Sequence, residues 1–269
     1  MPAILCPRCG KLISSNAPEC MFCGQRRPGL WGVTQTLRRW QVRLDFTKLI
    51  MGSCVVVYVL ALLTDPSAIF RPSAMMNILA PSDRASFYFG MTGAIPVFGL
   101  GRWWTLITAI YLHGGLLHIF FNMMWVRQLG PVVEELYGPF RLFIIFTVAG
   151  VVGFLVSAYM GHAATLGASG AIFGLLAAAI VYGRQTGSSL FTRQFLQWAA
   201  ILFVSGLVFP GIDNWAHAGG FVGGYASSYV LARDRGREGL GAWVGGAICL
   251  LATVTAFALQ LRAVLGTRY

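Results

Sequence analysis

Residues 165–174 read "TLGASGAIFG". One serine, Ser169, stands among small residues and opens an apolar run covering 169–182. A serine in that place is either a helix cap, hydrogen-bonded to its own backbone, or a nucleophile set inside a bilayer. The run is shorter than the ~20 residues that carry a helix across the hydrocarbon core. The helix is therefore predicted to begin below the membrane surface. Non-helical backbone at that depth is tolerated only where protein buries it or water reaches it. A short helix starting there implies a cavity.

The rest of the chain supports a membrane setting. Of its 269 residues, 57% are hydrophobic and only 11% charged, with a mean hydropathy of +0.68. A soluble domain is about a quarter charged. Further apolar runs cover 46–64, 116–136, 140–160, 195–209, 215–231 and 240–261. The predicted fold is an all-α polytopic membrane protein with seven spans, the fourth and fifth short. The net charge of +11 does not indicate nucleic acid. The charges sit between apolar runs and within the first 48 residues, which suits lipid headgroups and topology-setting loops. With the N-terminus inside, fifteen of the twenty Lys and Arg residues fall on the inner side; only Arg71, Arg84, Arg102, Arg262 and Arg268 fall outside. That asymmetry predicts a cytosolic N-terminus and an external C-terminus. The gap at 65–115 is no ordinary loop. Its "IPVFGLGRWWTLITAIYLHGG" is too apolar for solvent and too broken by Gly and Pro for a clean span. It reads as an interfacial excursion anchored by Trp103 and Trp104.

Four of the six cysteines lie in "CPRCG" and "CMFCG": Cys6, Cys9, Cys20 and Cys23. Two intervening residues let both thiolates of a pair turn onto one ion, and the glycine after each pair permits a tight turn. The alternative is two disulfides, which a reducing cytosol disfavours. Four thiolates suit structural zinc, with iron tolerated as well, and leave no open position for catalysis. So short a unit would draw its folding energy from the metal. The expected organisation is a zinc-ribbon-like unit at 1–28, a basic juxtamembrane linker at 29–45, a six-span core at 46–239 and an additional span with a short tail at 240–269. Cys54 and Cys249 lie alone in apolar runs and read as buried, inert thiols.

Polar residues at membrane depth are costly and functional by default. His217 lies in "NWAHAGGFVGG", near the start of the sixth run. One span separates it from the fourth, so Ser169 and His217 sit near the same membrane face at similar depth. Gly170/Gly174, Gly219/Gly223 and Gly220/Gly224 form G-x-x-x-G faces that let helix backbones approach closely. If those faces meet, the serine hydroxyl comes within reach of an imidazole, the minimal activated nucleophile. In "HGGLLHIFFNMMW", His118 and Asn122 share one helix face and offer oxyanion donors beside the backbone N–H of Ser169. Alone, each has a bland reading: a cap, a core histidine, polar glue between helices. Their agreement in depth and chemistry favours catalysis. His113 reads as structural, hydrogen-bonded to the excursion, and His162 as a solvated loop residue.

At these positions the chain resembles the rhomboid family of intramembrane serine proteases. The matching pieces are His113-x4-His118-x3-Asn122, Gly167-Ala168-Ser169-Gly170 and Ala216-His217-x2-Gly220, in order across about 102–233. The resemblance implies a six-helix rhomboid core around an outward-opening, water-filled cavity, with the seventh span an appendage. It implies Ser169 as nucleophile, His217 as general base, His118 and Asn122 as oxyanion donors, no Asp third member and no catalytic cofactor. It implies transmembrane protein substrates, cleaved near the outer membrane junction, and a bacterial or archaeal plasma-membrane location. Trp104-Thr105 stands where the family often has Trp-Arg. Phe173 replaces a tyrosine of some members and is expected to stack on His217. Glu134 is expected to tie inner loops together, and the fifth span with the excursion to gate substrate entry. The rival reading is a catalytically silent relative that binds membrane clients, its zinc ribbon recruiting a cytosolic partner. A metalloprotease would need ligand spacing such as H-E-x-x-H, which does not occur, and a transporter would show two related halves.

Overall fold

The computed structural model describes residues 3–6, 9–14, 17–26, 45–67, 78–209, 211–232 and 238–266. All but the last residue of the expected linker at 29–45 lies outside them. The chain divides into two compact units, Met1–Leu44 and Asp45–Tyr269. In the first, β1 (Ala3–Leu5) pairs antiparallel with β2 (Leu12–Ser14), Ile4 opposite Ile13.

The second unit is helical. Its helices are α1 (Phe46–Thr64), α2 (Asp83–Phe89), α3 (Thr105–Thr108), α4 (Leu116–Tyr137), α5 (Pro139–Tyr159), α6 (Ser169–Thr186), α7 (Ser189–Val208), α8 (Asn214–Leu231) and α9 (Leu240–Gly266). Seven of them, α1 and α4 through α9, occupy the seven apolar runs of the sequence. Several boundaries follow from local chemistry. Asp45 caps α1 by accepting from the Lys48 N–H at 2.9 Å, which also holds its carboxyl below the usual range. Asp213 caps α8 in the same way, accepting from the Ala216 N–H at 3.0 Å. α6 ends at Gly187, whose φ of +73° is the left-handed cap conformation. α7 starts six residues before its apolar run, because Arg193 and Gln194 point outward and cost the helix nothing.

Among the described residues, α1, α5, α7 and α9 are long and apolar enough to cross a membrane on their own. α4 qualifies together with the short segment 105–111, bent from it by 92°. α6 and α8 fall below that standard; α6 lies at the centre, whereas α8 buries its glycine face and exposes Trp215, Val222 and Val230. Their sequences are full of Gly, Ala and Ser, and in α6 every residue from Gly170 to Val181 is buried. A helix wrapped by other helices has no lipid to satisfy, so close backbone approach replaces hydropathy. α5 packs along α8, α8 along α6, and α6 against α5, α4 and α7. α7 is the least buried candidate span, with 11% of its apolar window inside.

The 65–115 gap is folded where it is described. α2 is capped by Ser82 and ended by Gly90, and a wide turn at Ile95–Gly99 precedes α3. Thr92 bridges to Thr165, and the Gly167 N–H donates to the Ala109 carbonyl at 2.9 Å. The excursion is thereby stitched to the segment that leads into Ser169.

Candidate active site

Ser169 is the first residue of α6 and His217 the fourth of α8. Ser169 Oγ lies 2.9 Å from His217 Nε2, across 48 residues of chain. Glycine makes this approach possible. A Cβ on Gly220 would fall 2.6 Å from the Gly170 carbonyl carbon, and one on Gly224 2.7 Å from that of Gly174. These two faces meet. The third pair, Gly219 and Gly223, turns the other way and packs on Val152, Gly153 and Val156 of α5. α8 is thus held by glycine on two sides.

His217 is fixed at both nitrogens and on its face. Its Nδ1 lies 3.1 Å from Asn214 Oδ1. With the amide oxygen facing the ring, Nδ1 carries the proton and Nε2 is free to accept from Ser169. Phe173, one turn after the serine, stacks on the imidazole at 4.4 Å and 19°. The phenyl ring supplies the stacking without a hydroxyl. His217 is 5% exposed, while Ser169 is half-buried and reachable.

His118 and Asn122 flank the same turn. His118 Nδ1 accepts from the Gly114 N–H at 3.2 Å, which leaves the proton on Nε2. That nitrogen reaches over Gly167, where a Cβ would stand 2.7 Å from it. Gly167 has a φ of +128°, so both its backbone and its crowding demand glycine. Asn122 spends one N–H on the His118 carbonyl at 2.8 Å and keeps the other. Its Oδ1 is buried without a partner. The helix start at Ser169 adds backbone N–H groups that no preceding turn can satisfy, at the positive end of the α6 dipole.

His113 is buried, its ring packed edge-on against that of His118 at 5.2 Å. His162 is tethered and not simply solvated. Its Nδ1 lies 3.2 Å from Asp213 Oδ1 and 3.1 Å from Ser157 Oγ, and Ser157 also donates to Asp213. Glu134 accepts from Thr47 Oγ1 at 3.1 Å, which joins α4 to the start of α1. Asn214 and Asp213 were not singled out from the sequence. The signal was there: Asp-Asn at a helix start is a cap signature, and Asn214 sits one turn before His217.

In the first unit, the sulfurs of Cys6, Cys9, Cys20 and Cys23 all lie within 4.8 Å of one another. Cys6–Cys23 and Cys9–Cys20 are separated by 3.6 and 3.7 Å. A disulfide needs ~2.05 Å. A tetrahedron of Zn–S bonds of about 2.3 Å has edges of about 3.8 Å, so the set fits a four-thiolate metal ion. Gly10 and Gly24 follow the pairs with φ of +70° and +68°, and their N–H groups close the two knuckles onto the Cys6 and Cys20 carbonyls at 2.9 Å.

Comparison with known proteins extends the picture. A rhomboid-domain family model matches residues 100–234. Rhomboid protease GluP of Bacillus subtilis is 35% identical over 135 residues, 49% of this chain and 26% of that protein. RHOMBOID-like protein 1 of Arabidopsis thaliana is 29% identical over 168 residues, 60% of this chain and 43% of that protein. Rhomboid-type serine protease 2 of Emericella nidulans is 32% identical over 140 residues, 49% and 28% respectively. The matched part spans less than half of each relative's length. The family match nonetheless covers half of this chain and holds every polar residue of the α4–α6–α8 site, and on that ground the chain belongs to the rhomboid family.

Proposed function

We propose that the protein is an intramembrane serine endopeptidase that cleaves transmembrane proteins near the outer membrane junction. The observation that carries the reading is the 2.9 Å contact between Ser169 Oγ and His217 Nε2 at the reachable end of two glycine-packed helices. As Oγ attacks the scissile carbonyl carbon, its proton passes to His217 Nε2 and the carbonyl π electrons move onto oxygen. His118 Nε2–H, the free N–H of Asn122 and the first amides of α6 hold that oxyanion. The tetrahedral adduct collapses, the amine leaves with the proton from His217, and an acyl-serine remains. Water then gives its proton to His217, attacks the ester and restores Ser169. Asn214 holds His217 in the required tautomer, and no carboxylate takes part.

The lightly packed α7 is the gate through which a substrate helix enters, its Phe203 touching Phe173 at the dyad. A disulfide locking α7 to α4 should block cleavage of a membrane substrate. The basic residues on the inner side put the N-terminus in the cytosol and the Ser169 end of the bundle outside. The four-cysteine unit holds a structural zinc ion, which supplies folding energy and no step of the reaction, and presents a surface to a cytosolic partner.

The test is cleavage of a fluorescent single-span substrate in liposomes by the wild type, Ser169→Ala and His217→Ala, with fluorophosphonate labelling alongside. Loss of cleavage in both variants and of label in Ser169→Ala supports the dyad. An inert, unlabelled wild type would support the client-binding reading instead.

A further inference from the structure

α9 lies beyond the part of the chain that the family model matches, and most of its surface is apolar and exposed, as in Leu251, Val254 and Leu261. One residue breaks the pattern. Gln260 is 2% exposed. A buried primary amide is costly unless each of its groups finds a partner. Here they all do. Trp104 Nε1–H donates to Gln260 Oε1 at 2.8 Å, and Gln260 Nε2 donates to the Phe87 and Tyr88 carbonyls at 2.9 and 3.1 Å. The two carbonyls belong to the last turn of α2, where Phe87 also accepts from the capping Gly90 N–H at 3.2 Å. Gly90 ends that turn with a φ of +97°, and a side chain there would collide with Thr108 and approach Gln260 Cγ to 3.2 Å.

We propose that Gln260 is a positioning residue for the nucleophile, and that α9 is a strut of the catalytic apparatus. Two routes run from its amide to the Ser169 turn. From α2 the chain passes Gly90 to Thr92, whose N–H donates to the Thr165 carbonyl at 3.0 Å and whose carbonyl accepts from the Thr165 N–H at 2.6 Å. From Trp104 the chain passes through α3 to Ala109, whose carbonyl accepts from Gly167. Cross-links between the routes, Thr105 Oγ1 to Thr92 Oγ1 at 3.0 Å and Thr108 Oγ1 to the Gly90 carbonyl at 2.7 Å, make them one rigid piece. Both routes end within four residues of Ser169. The partner of Trp104 comes from the appended helix.

The proposal rests on Ser169 being the nucleophile, and the test separates the two. Gln260→Met keeps length and volume and removes all three hydrogen bonds. In the full-length protein, hydrogen exchange at Thr165 and Gly167 should speed up about tenfold, and labelling of Ser169 by a fluorophosphonate should slow by about the same factor. With a cleavable substrate, kcat should fall while KM holds, because substrate contacts are untouched. Trp104→Phe should act in the same direction and more weakly, and the double variant should fall short of the product of the two. Unchanged exchange at 165–167 in Gln260→Met overturns the proposal, as does independent action of the two substitutions. A wild type that takes no label refutes the nucleophile instead, while exchange still reads the strut.

Discussion

Gly220→Ala should abolish most of the activity without unfolding the protein. The new Cβ would stand 2.6 Å from the Gly170 carbonyl carbon and 2.9 Å from Gly170 Cα. The Gly170 carbonyl oxygen is nearer still; carbon atoms rest at about 3.5 Å or more, so the helices must part by at least about 0.9 Å. Backbone cannot rotate aside as a side chain would. Gly170 follows Ser169 and Gly220 is one turn beyond His217, so the opening falls on the dyad. The 2.9 Å Ser169–His217 contact would stretch to about 3.8 Å, past the limit of a hydrogen bond. A displacement of ~1 Å at reacting groups costs on the order of a hundredfold in rate. The assay is kcat on a single-span fluorescent substrate in liposomes, with fluorophosphonate labelling as a substrate-free check. Gly52→Ala is the control, because nothing lies within 4 Å of the Cβ it adds. If Gly220→Ala keeps a third or more of wild-type kcat, glycine contact is not what sets the dyad distance.

Four further outcomes are expected. Asn214→Ala frees the His217 ring and should lower kcat at least about tenfold with little change in KM, measured on the same substrate. Asp213→Ala removes the α8 cap and the ties to Ser157 and His162; it should lower stability by about 1–2 kcal/mol, read from an unfolding titration in mixed micelles. Chelation, or Cys23→Ser, should release one zinc per chain and expose residues 1–26 to protease while cleavage by the membrane unit persists, measured by metal analysis beside the activity assay. Glu238 accepts from the Arg141 N–H at 2.8 Å, yet burial pushes its carboxyl above the usual range. The folded state therefore favours the protonated form, and Glu238 contributes most below its unfolded pKa and loses that contribution as pH rises through the raised value. Glu238→Gln keeps an acceptor, so at pH 7 its melting point should equal or exceed wild type by up to about 2 °C, and the advantage should vanish in acid. A clear loss of stability at pH 7 would show that the charge is wanted.

The sequence makes the helices, the meeting of Ser169 with His217 and the cysteine cluster legible because each carries a repeating or paired signal. Apolar length marks α1, α5 and α9. Glycine spacing points to the α6–α8 seam, although only Gly220 and Gly224 face α6, since a G-x-x-x-G stripe does not say which neighbour it meets. Long-range hydrogen bonds leave no such periodic trace. Gln260 bonds to residues 156 and more positions away, and Asp213 reaches 56 back to Ser157. A lone Gln in an apolar run was itself a flag. What it binds depended on the path of the excursion, which Gly and Pro made irregular.

The central helices have a consequence for how the protein is made. α6 and α8 fall short of the combined length and hydropathy that carry a helix across a membrane alone, so each leans on the helices packed against it. Ser169 is synthesised 48 residues before His217, and α8 finds its seat mainly against α5 and α6. In a nascent chain Ser169 therefore lacks its His217 contact until α8 has joined. Truncation after α7 should leave α6 poorly inserted in a glycosylation-reporter assay, and extension through α8 should restore it. On such helices the Ser169–His217 contact comes into being only with the completion of the bundle.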